Sequence, residues 1–250
     1  MPANSFLRNL ASSDRACLVP HLTLLHVRRG QLLTTAGEPA QNVFFPVTAA
    51  VSLVVPVDDR QIEVATLGPD DVVNAGFALS ASGRPVSSAV IQADGQVLAC
   101  QISTLANAAR NENLIAAFAR AQQRLTDHSH IITACTLAHS LEARFGRWLL
   151  RARDIIGTNT LKFTQGGVAD LLGVGRTYLN KTIENLHRRK VIRTDRGEVT
   201  ILDPERLSRH ACGCYGLIRS MYEGAAPYAA KQTCNVHSEI HVEERVTQPA

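Results

Sequence analysis

From about residue 24 to 103 short apolar runs alternate with turn residues. LLHV, QLL, VFFPV, VSLVVPV and IEVATL are separated by RRG, AGEPAQN, DDRQ and GPDD, and VSSAVIQ and QVLACQI later flank ADG. Runs rich in Val, Ile, Leu and Phe at this spacing predict an antiparallel all-β unit, a barrel or jelly roll. At about 104 the period lengthens. Leu114, Phe118, Ala121, Leu125, His128, Ile132 and Cys135 recur in steps of four and three over three heptads. That spacing predicts a dimerising helix with a coiled-coil seam, whose apolar residues would be exposed in an isolated chain. A helix packed on its own barrel is the alternative.

A second helix, about 139–156, would turn Leu141, Phe145, Trp148, Leu149 and Ile155 inward and arginines 144, 147, 151 and 153 outward, ending at Gly157. Thr164 then stands as N-cap to a short helix with Val168, Ala169, Leu171 and Leu172 on its buried side. Gly173 permits a sharp corner. The next helix buries Leu179, Ile183 and Leu186, which puts Arg176, Thr177, Asn180, Lys181 and Glu184 on the opposite face. VIRTDRGEVTIL follows as two strand-like runs around a turn, the pattern of a wing. The corner is therefore read as a winged helix-turn-helix. Gly166 and Gly167 inside the first helix each cost roughly 1 kcal/mol relative to Ala, which a close approach to a neighbouring backbone would justify.

The expected fold class is α+β: an N-terminal antiparallel β-roll or jelly-roll barrel over 1–110, a dimerisation helix over 111–138, a winged helix-turn-helix over 139–226, and a disordered tail over 227–250. Charge follows the same division. Residues 141–226 hold 15 Lys and Arg against 9 Asp and Glu, whereas 1–140 hold 9 against 10. A basic segment of domain size suits a surface that faces phosphates. An Arg or Lys on an exposed recognition helix can donate to guanine, and an Asn can pair with adenine. The candidate DNA-contacting residues are Thr164, Gln165, Arg176, Thr177, Tyr178, Asn180, Lys181, Arg193 and Arg196, with Arg193 and Arg196 on the wing reaching phosphate.

Other classes fit less well. No apolar run approaches the roughly 18 residues of a membrane span, and MPANSFLRNL lacks a basic segment followed by an apolar one, so a cytoplasmic protein is expected. Six scattered cysteines do not suggest a disulfide framework. A cupin-like metalloenzyme would need a His-x-His pattern, and the barrel segment has only His26. Cys212 and Cys214 are too few to close a zinc site; with Cys234 they could supply three thiolates, but packing thiols are the expected reading. No cofactor and no catalytic residue is expected.

The order barrel, long helix, winged helix-turn-helix resembles the Crp/Fnr superfamily of bacterial transcription regulators over about 20–223. The resemblance is carried by AGEPAQNVFFPVTAAVSLV, TLGPDDVV, the seam helix, LKFTQGGVADLLGVGRTYLNKTIENLHRRKVIRTDRGEVTILDPERL and ACGCYGLIRSMYE. It implies a homodimer reading an inverted repeat in double-stranded DNA, with RNA polymerase as a further partner. The family's recognition helix begins Ser-Arg-Glu-Thr-Val, matched here by Gly175, Arg176, Thr177, Tyr178 and Leu179, with Lys181 in place of a later Arg. Arg176 keeps the guanine-reading role by resemblance, and Thr177 replaces the Glu that would read cytosine. Cyclic-nucleotide-binding members carry a Glu for ribose and an Arg for phosphate. Ala75 and Ser87 stand near those positions and Arg84 is out of register, so no binding of cyclic AMP is expected.

Overall fold

A computed structural model describes residues 4–222 except 81, 109 and 110. The predicted tail over 227–250 and Cys234 lie outside the described residues. Two short helices, α1 (Ser5–Arg8) and α2 (Ser12–Leu18), open the chain. The predicted β unit follows as β1 (Thr23–Val27), β2 (Leu32–Thr34), β3 (Asn42–Pro46), β4 (Ala50–Val57) and β5 (Arg60–Leu67), then α3 (Ala75–Ser80), β6 (Ser88–Ala93) and β7 (Gly95–Gln101). The strands form two antiparallel sheets, ordered β2-β6-β4-β5 and β1-β7-β3. Their inner faces meet in a core that includes Val27, Val51, Leu53, Leu67, Ile91 and Val97.

After α4 (Ile102–Ala108) comes the long helix α5 (Glu112–Ala138), started by the Asn111 side chain, which accepts from the Asn113 amide. The seam expectation is corrected at this helix. Leu114, Phe118, Ala121, His128, Ile132 and Cys135 are all buried and Leu125 is half-buried, although a single chain is present. Leu114, Phe118 and Ala121 join Phe6, Leu7 and Phe45 in a second core, and Leu125 packs on the barrel core. The stripe has the four-three spacing of a coiled coil because any helix laid along an apolar surface shows it. What covers the stripe is the chain's own barrel and its last helices. The exposed side of α5 carries Ile115, Ala119, Thr133 and Leu137, and Leu137 is 85% exposed.

The C-terminal part runs α6 (Leu141–Ile156), β8 (Thr160–Lys162), α7 (Gln165–Leu171), α8 (Arg176–Arg188), β9 (Ile192–Asp195), β10 (Glu198–Ile201), α9 (Pro204–His210) and α10 (Cys214–Ser220). Its core holds Leu141, Phe145, Trp148 and Leu149 of α6 against Leu179, Ile183 and Leu186 of α8, as their spacing requires. Val54 of β4 belongs to the same core, so this unit lies directly on the barrel. Gly68, after β5, makes the approach possible, since a Cβ there would come within 2.8 Å of the Ile155 side chain.

Arginines 144, 147 and 151 do not point outward as the sequence suggested. They are 9%, 2% and 7% exposed because the face of α6 that carries them lies against the barrel and the end of α7. Arg144 donates to the Leu172 carbonyl. Arg151 pairs with Asp71 at 3.3 Å and lies 4.3 Å from the Tyr222 ring centroid. Only Arg153 reaches solvent, beside Asp154. Among them sits a buried carboxylate: Glu63 of β5 accepts from Ser52, from Thr66 at 2.9 Å and from the Trp148 indole at 3.4 Å. Burial pushes the Glu63 carboxyl above its usual range, and these donors, with Arg147, pull it back.

Candidate nucleic-acid interface

The corner is built as the sequence dictates. Thr164 caps α7, its hydroxyl accepting from the Gly167 amide at 3.1 Å. Val168, Ala169, Leu171 and Leu172 are buried. The chain then turns at Gly173, whose φ of +67° is in the left-handed region that an L side chain resists, and the Gly173 amide donates to the Asp170 carbonyl at 2.9 Å. Gly175 precedes α8, and α8 runs for 13 residues with its apolar side on the core. Gly166 and Gly167 make no close approach to a neighbouring backbone. A Cβ on Gly166 would meet open space, and on Gly167 only the capping hydroxyl of Thr164. Their helix cost is offset by the four buried apolar residues that follow them.

Behind the corner β8, β10 and β9 form a three-stranded antiparallel sheet. The β9–β10 turn is the wing: Gly197 takes a φ of +74° and the Arg196 amide donates to Asp195 Oδ1 at 2.7 Å, fixing the tip. Between the tip and the first turns of α7 and α8 lies a groove of about 420 Å³, lined among others by Thr164, Gln165, Arg176, Thr194 and Arg196. Residues from three segments of the sequence thus share one surface. Asp195 and Glu198 also line it. Glu198 is drawn aside by Lys162 at 3.3 Å.

Thr164, Arg176, Thr177, Tyr178, Lys181, Arg193 and Arg196 are exposed, and Gln165 is half-buried. Asn180 differs from its expected place. It is half-buried, and its Oδ1 is enclosed without a hydrogen-bond partner, so the amide edge that would pair with adenine does not face solvent as it stands. Arg193 is exposed, but strand alternation puts it on the face of β9 opposite Thr194, and Thr194 is the residue that lines the groove and contacts His187. An α-helix whose first turns are polar and cationic, backed by a basic wing tip, has the shape and chemistry to enter a major groove and hold the flanking phosphate.

The barrel positions near the nucleotide-binding residues of the resemblance are also occupied differently. Ala75 is fully buried at the start of α3, where the neighbouring Gly76 amide donates to Gln122 Oε1 of α5 at 3.0 Å. Arg84 is exposed and donates to the Gly37 carbonyl at 2.7 Å. Two groups escaped sequence reasoning. One is the buried ionic contact between α6 and the barrel, whose Glu63 and Asp71 look like ordinary strand and loop carboxylates. The other is a gathering of Cys135, His139, Cys212 and Cys214, whose donor atoms all lie within 4.8 Å of one another. Its signals were the Cys212–Cys214 pair, expected above to be packing thiols, and the four-residue step from Cys135 to His139 at the end of α5, more than 70 residues away in sequence.

Residues 143–210 match the Crp-like helix-turn-helix domain family, and residues 24–111 match the cyclic nucleotide-binding domain family. No curated protein sequence matches the chain. Among solved structures the chain is similar to a Crp/Fnr-family transcriptional regulator from Eubacterium rectale, with 18% identity, a TM-score of 0.66 and coverage of 82% of this chain and 96% of that one. It is similar to a CRP-family transcriptional regulator from Thermus thermophilus, with 20% identity, a TM-score of 0.64 and coverage of 82% and 100%. FixK2 from Bradyrhizobium japonicum gives 17% identity, a TM-score of 0.63 and coverage of 76% and 98%. At these identities the likenesses show the fold. Among the described residues no helix is long and apolar enough to cross a membrane.

Proposed function

We propose that the chain is a transcription regulator of the Crp/Fnr type, with a cyclic nucleotide-binding-type barrel and a Crp-like DNA-binding helix-turn-helix, and that it acts as a non-enzymatic, cytoplasmic homodimer that reads an inverted repeat. The divisions 1–110, 111–138 and 139–226 are then its sensor-type barrel, dimer helix and DNA-binding unit. The observation that carries this reading is the groove joining Thr164, Gln165 and Arg176 to Arg196 of the wing. In a two-fold dimer the two α8 helices would enter successive major grooves about 34 Å apart. RNA polymerase is the further partner that the family suggests.

Because the apolar stripe of α5 is already covered, the dimer contact falls on the opposite side of the helix, through Ile115, Ala119 and Leu137. Exposed Ile and Leu along one side of a 27-residue helix suit a partner helix better than water. Replacing Ile115 and Leu137 together with Glu is expected to give a monomer in sedimentation and to abolish retention of a duplex selected from random DNA. A dimer that survives both changes refutes the contact. The barrel is not proposed to bind cyclic AMP. Its interior is packed with side chains, Ala75 and Ser87 offer no charge near the ribose and phosphate positions, and Arg84 is held at the rim. Calorimetric titration at millimolar nucleotide tests this, and binding in the micromolar range would refute it.

A further inference from the structure

Three segments converge where the long helix hands over to the DNA-binding unit. Cys135 lies in the last turn of α5, His139 is its C-cap residue, Cys212 sits between α9 and α10, and Cys214 begins α10. The Sγ atoms of Cys135 and Cys212 are 3.4 Å apart, and Cys214 Sγ is 3.7 Å from His139 Nδ1. In a tetrahedron with metal–sulfur bonds of about 2.3 Å the ligand atoms stand roughly 3.8 Å from one another. Two of the donor contacts are at the spacing of one shared ion and all four donors lie within 4.8 Å of one another, too close together for a multi-iron cluster to sit between them. The three thiols are buried and the histidine is exposed, which leaves one edge open for entry.

Plain packing does not account for the arrangement. The small core here has only cysteines as its fully buried members, with Ile131 and Ala143 half-buried against it. Beside it Arg147, 2% exposed, has Nε and Nη1 buried with no hydrogen-bond partner. Glu63 faces Arg147 from the barrel side, and the open donors of this buried cation favour further negative charge nearby. Three thiolates and a neutral imidazole around a divalent ion carry one net negative charge, the complement of one arginine.

We propose that Cys135, His139, Cys212 and Cys214 form a tetrahedral site for a single divalent zinc-type ion. Binding displaces the thiol protons to solvent and forms three metal–sulfur bonds and one metal–nitrogen bond, with no change of oxidation state. The ion would close a loop of 77 residues, spanning α6 to α9, onto the end of α5. On the DNA-binding reading above, it fixes how α8 is presented relative to the dimer helix. The site itself does not depend on that reading.

The test uses the full chain, reduced and free of DNA, so that its outcome is separate from any failure of DNA recognition. One equivalent of Zn2+ is expected to bind, and Co2+ is expected to give the intense visible bands of a tetrahedral ion with thiolate charge transfer. Cys214→Ser is expected to abolish those bands. His139→Ala, a change at an exposed position that the fold tolerates, is expected to shift them and weaken affinity by roughly tenfold or more. Cys17→Ser and Cys100→Ser are expected to leave both unchanged. Substoichiometric metal with fully reduced thiols, Co2+ bands that survive Cys214→Ser, or a chromophore containing inorganic sulfide would each overturn the proposal. So would a Cys135–Cys212 disulfide that forms readily while the reduced protein takes up no metal.

Discussion

Arg144, Arg147 and Arg151 of α6 are at most 9% exposed, whereas Arg176, Lys181 and Arg196 around the corner stand in solvent. Both sets are arginine-rich stretches of the same basic segment, and a charge count does not separate them. Arg144 and Arg151 of the first set are consumed inside the protein, on the Leu172 carbonyl, the Thr66 carbonyl and the Asp71 carboxylate, and Arg147 faces the buried Glu63. The second has the groove and its surroundings to itself. Excess charge in a segment therefore measures two things at once: cations that hold a domain in place, and cations that await a ligand. Here Arg151 tethers the helix-turn-helix unit to the barrel, and the exterior set is the recognition surface proposed above.

The largest expected effect breaks the interior set. Asp71→Ala should cost about 3–5 kcal/mol of folding stability, because it leaves the Arg151 guanidinium buried without its counterion. It also deprives the Tyr222 hydroxyl, at 2.9 Å, and the Gly68 amide, at 2.8 Å, of their acceptor. Urea unfolding measures it. A loss below about 1 kcal/mol would be the figure for a surface pair, and would erase the contrast between the two sets.

How far each region was legible follows the same line. The elements of the corner and the wing were readable because their period and their glycines are local: the left-handed turns at Gly157, Gly173 and Gly197 fall where the sequence put them. The exposed face of α8 was readable too, except at Asn180, whose surroundings depend on tertiary packing. What could not be read was which element covers which. The apolar stripe of α5 and the outward arginines of α6 were correct as faces and wrong as to what lies against them, since a periodic pattern reveals that a face is covered and not by what. Likewise Cys135, at a seam position, and Cys212, beside α10, are 77 residues apart and gave no sign of meeting.

The exterior set is tested next. Arg176→Ala should cost about 1–3 kcal/mol per half-site and relax preference at one base pair, leaving the fold intact, since this side chain is exposed at the start of α8. Affinities for a selected site and its single-base variants decide it. Unchanged base preference would remove α8 from the role of reader.

A smaller effect comes from pH at the junction. Burial, reinforced by Arg151 and Arg147, holds His128 neutral, with its pKa lowered to about 3. In the unfolded chain the imidazole takes a proton near pH 6.5. The unfolded state therefore binds more protons between these values, and the folded state loses stability as pH falls from about 6.5 toward 3. Glu63 and Asp71, raised by burial, have the opposite sign but are common to both proteins in a comparison with His128→Leu. The stability difference should move in favour of the variant by at most about 1.4 kcal/mol per pH unit below 6.5. A difference that does not depend on pH would place His128 in contact with water and not beneath α6.

The smallest expected effect separates the two wing arginines. Arg196 lies at the tip, on the groove, with its backbone fixed by Asp195 and its side chain in solvent. Arg193 is equally exposed but sits on the other face of β9. A phosphate contact carries no base information, and its removal is read in the dependence of affinity on salt. Arg196→Ala should weaken binding to all sequences alike and lower the salt slope by about one unit for each phosphate left without its cation. Arg193→Ala should leave the slope nearly unchanged, because the face that carries it points away from α8. Titrations of both variants at several salt concentrations compare them directly. If Arg193→Ala lowers the slope and Arg196→Ala does not, the wing approaches DNA by its opposite face, and the groove beside Arg176 is not where the phosphate backbone runs.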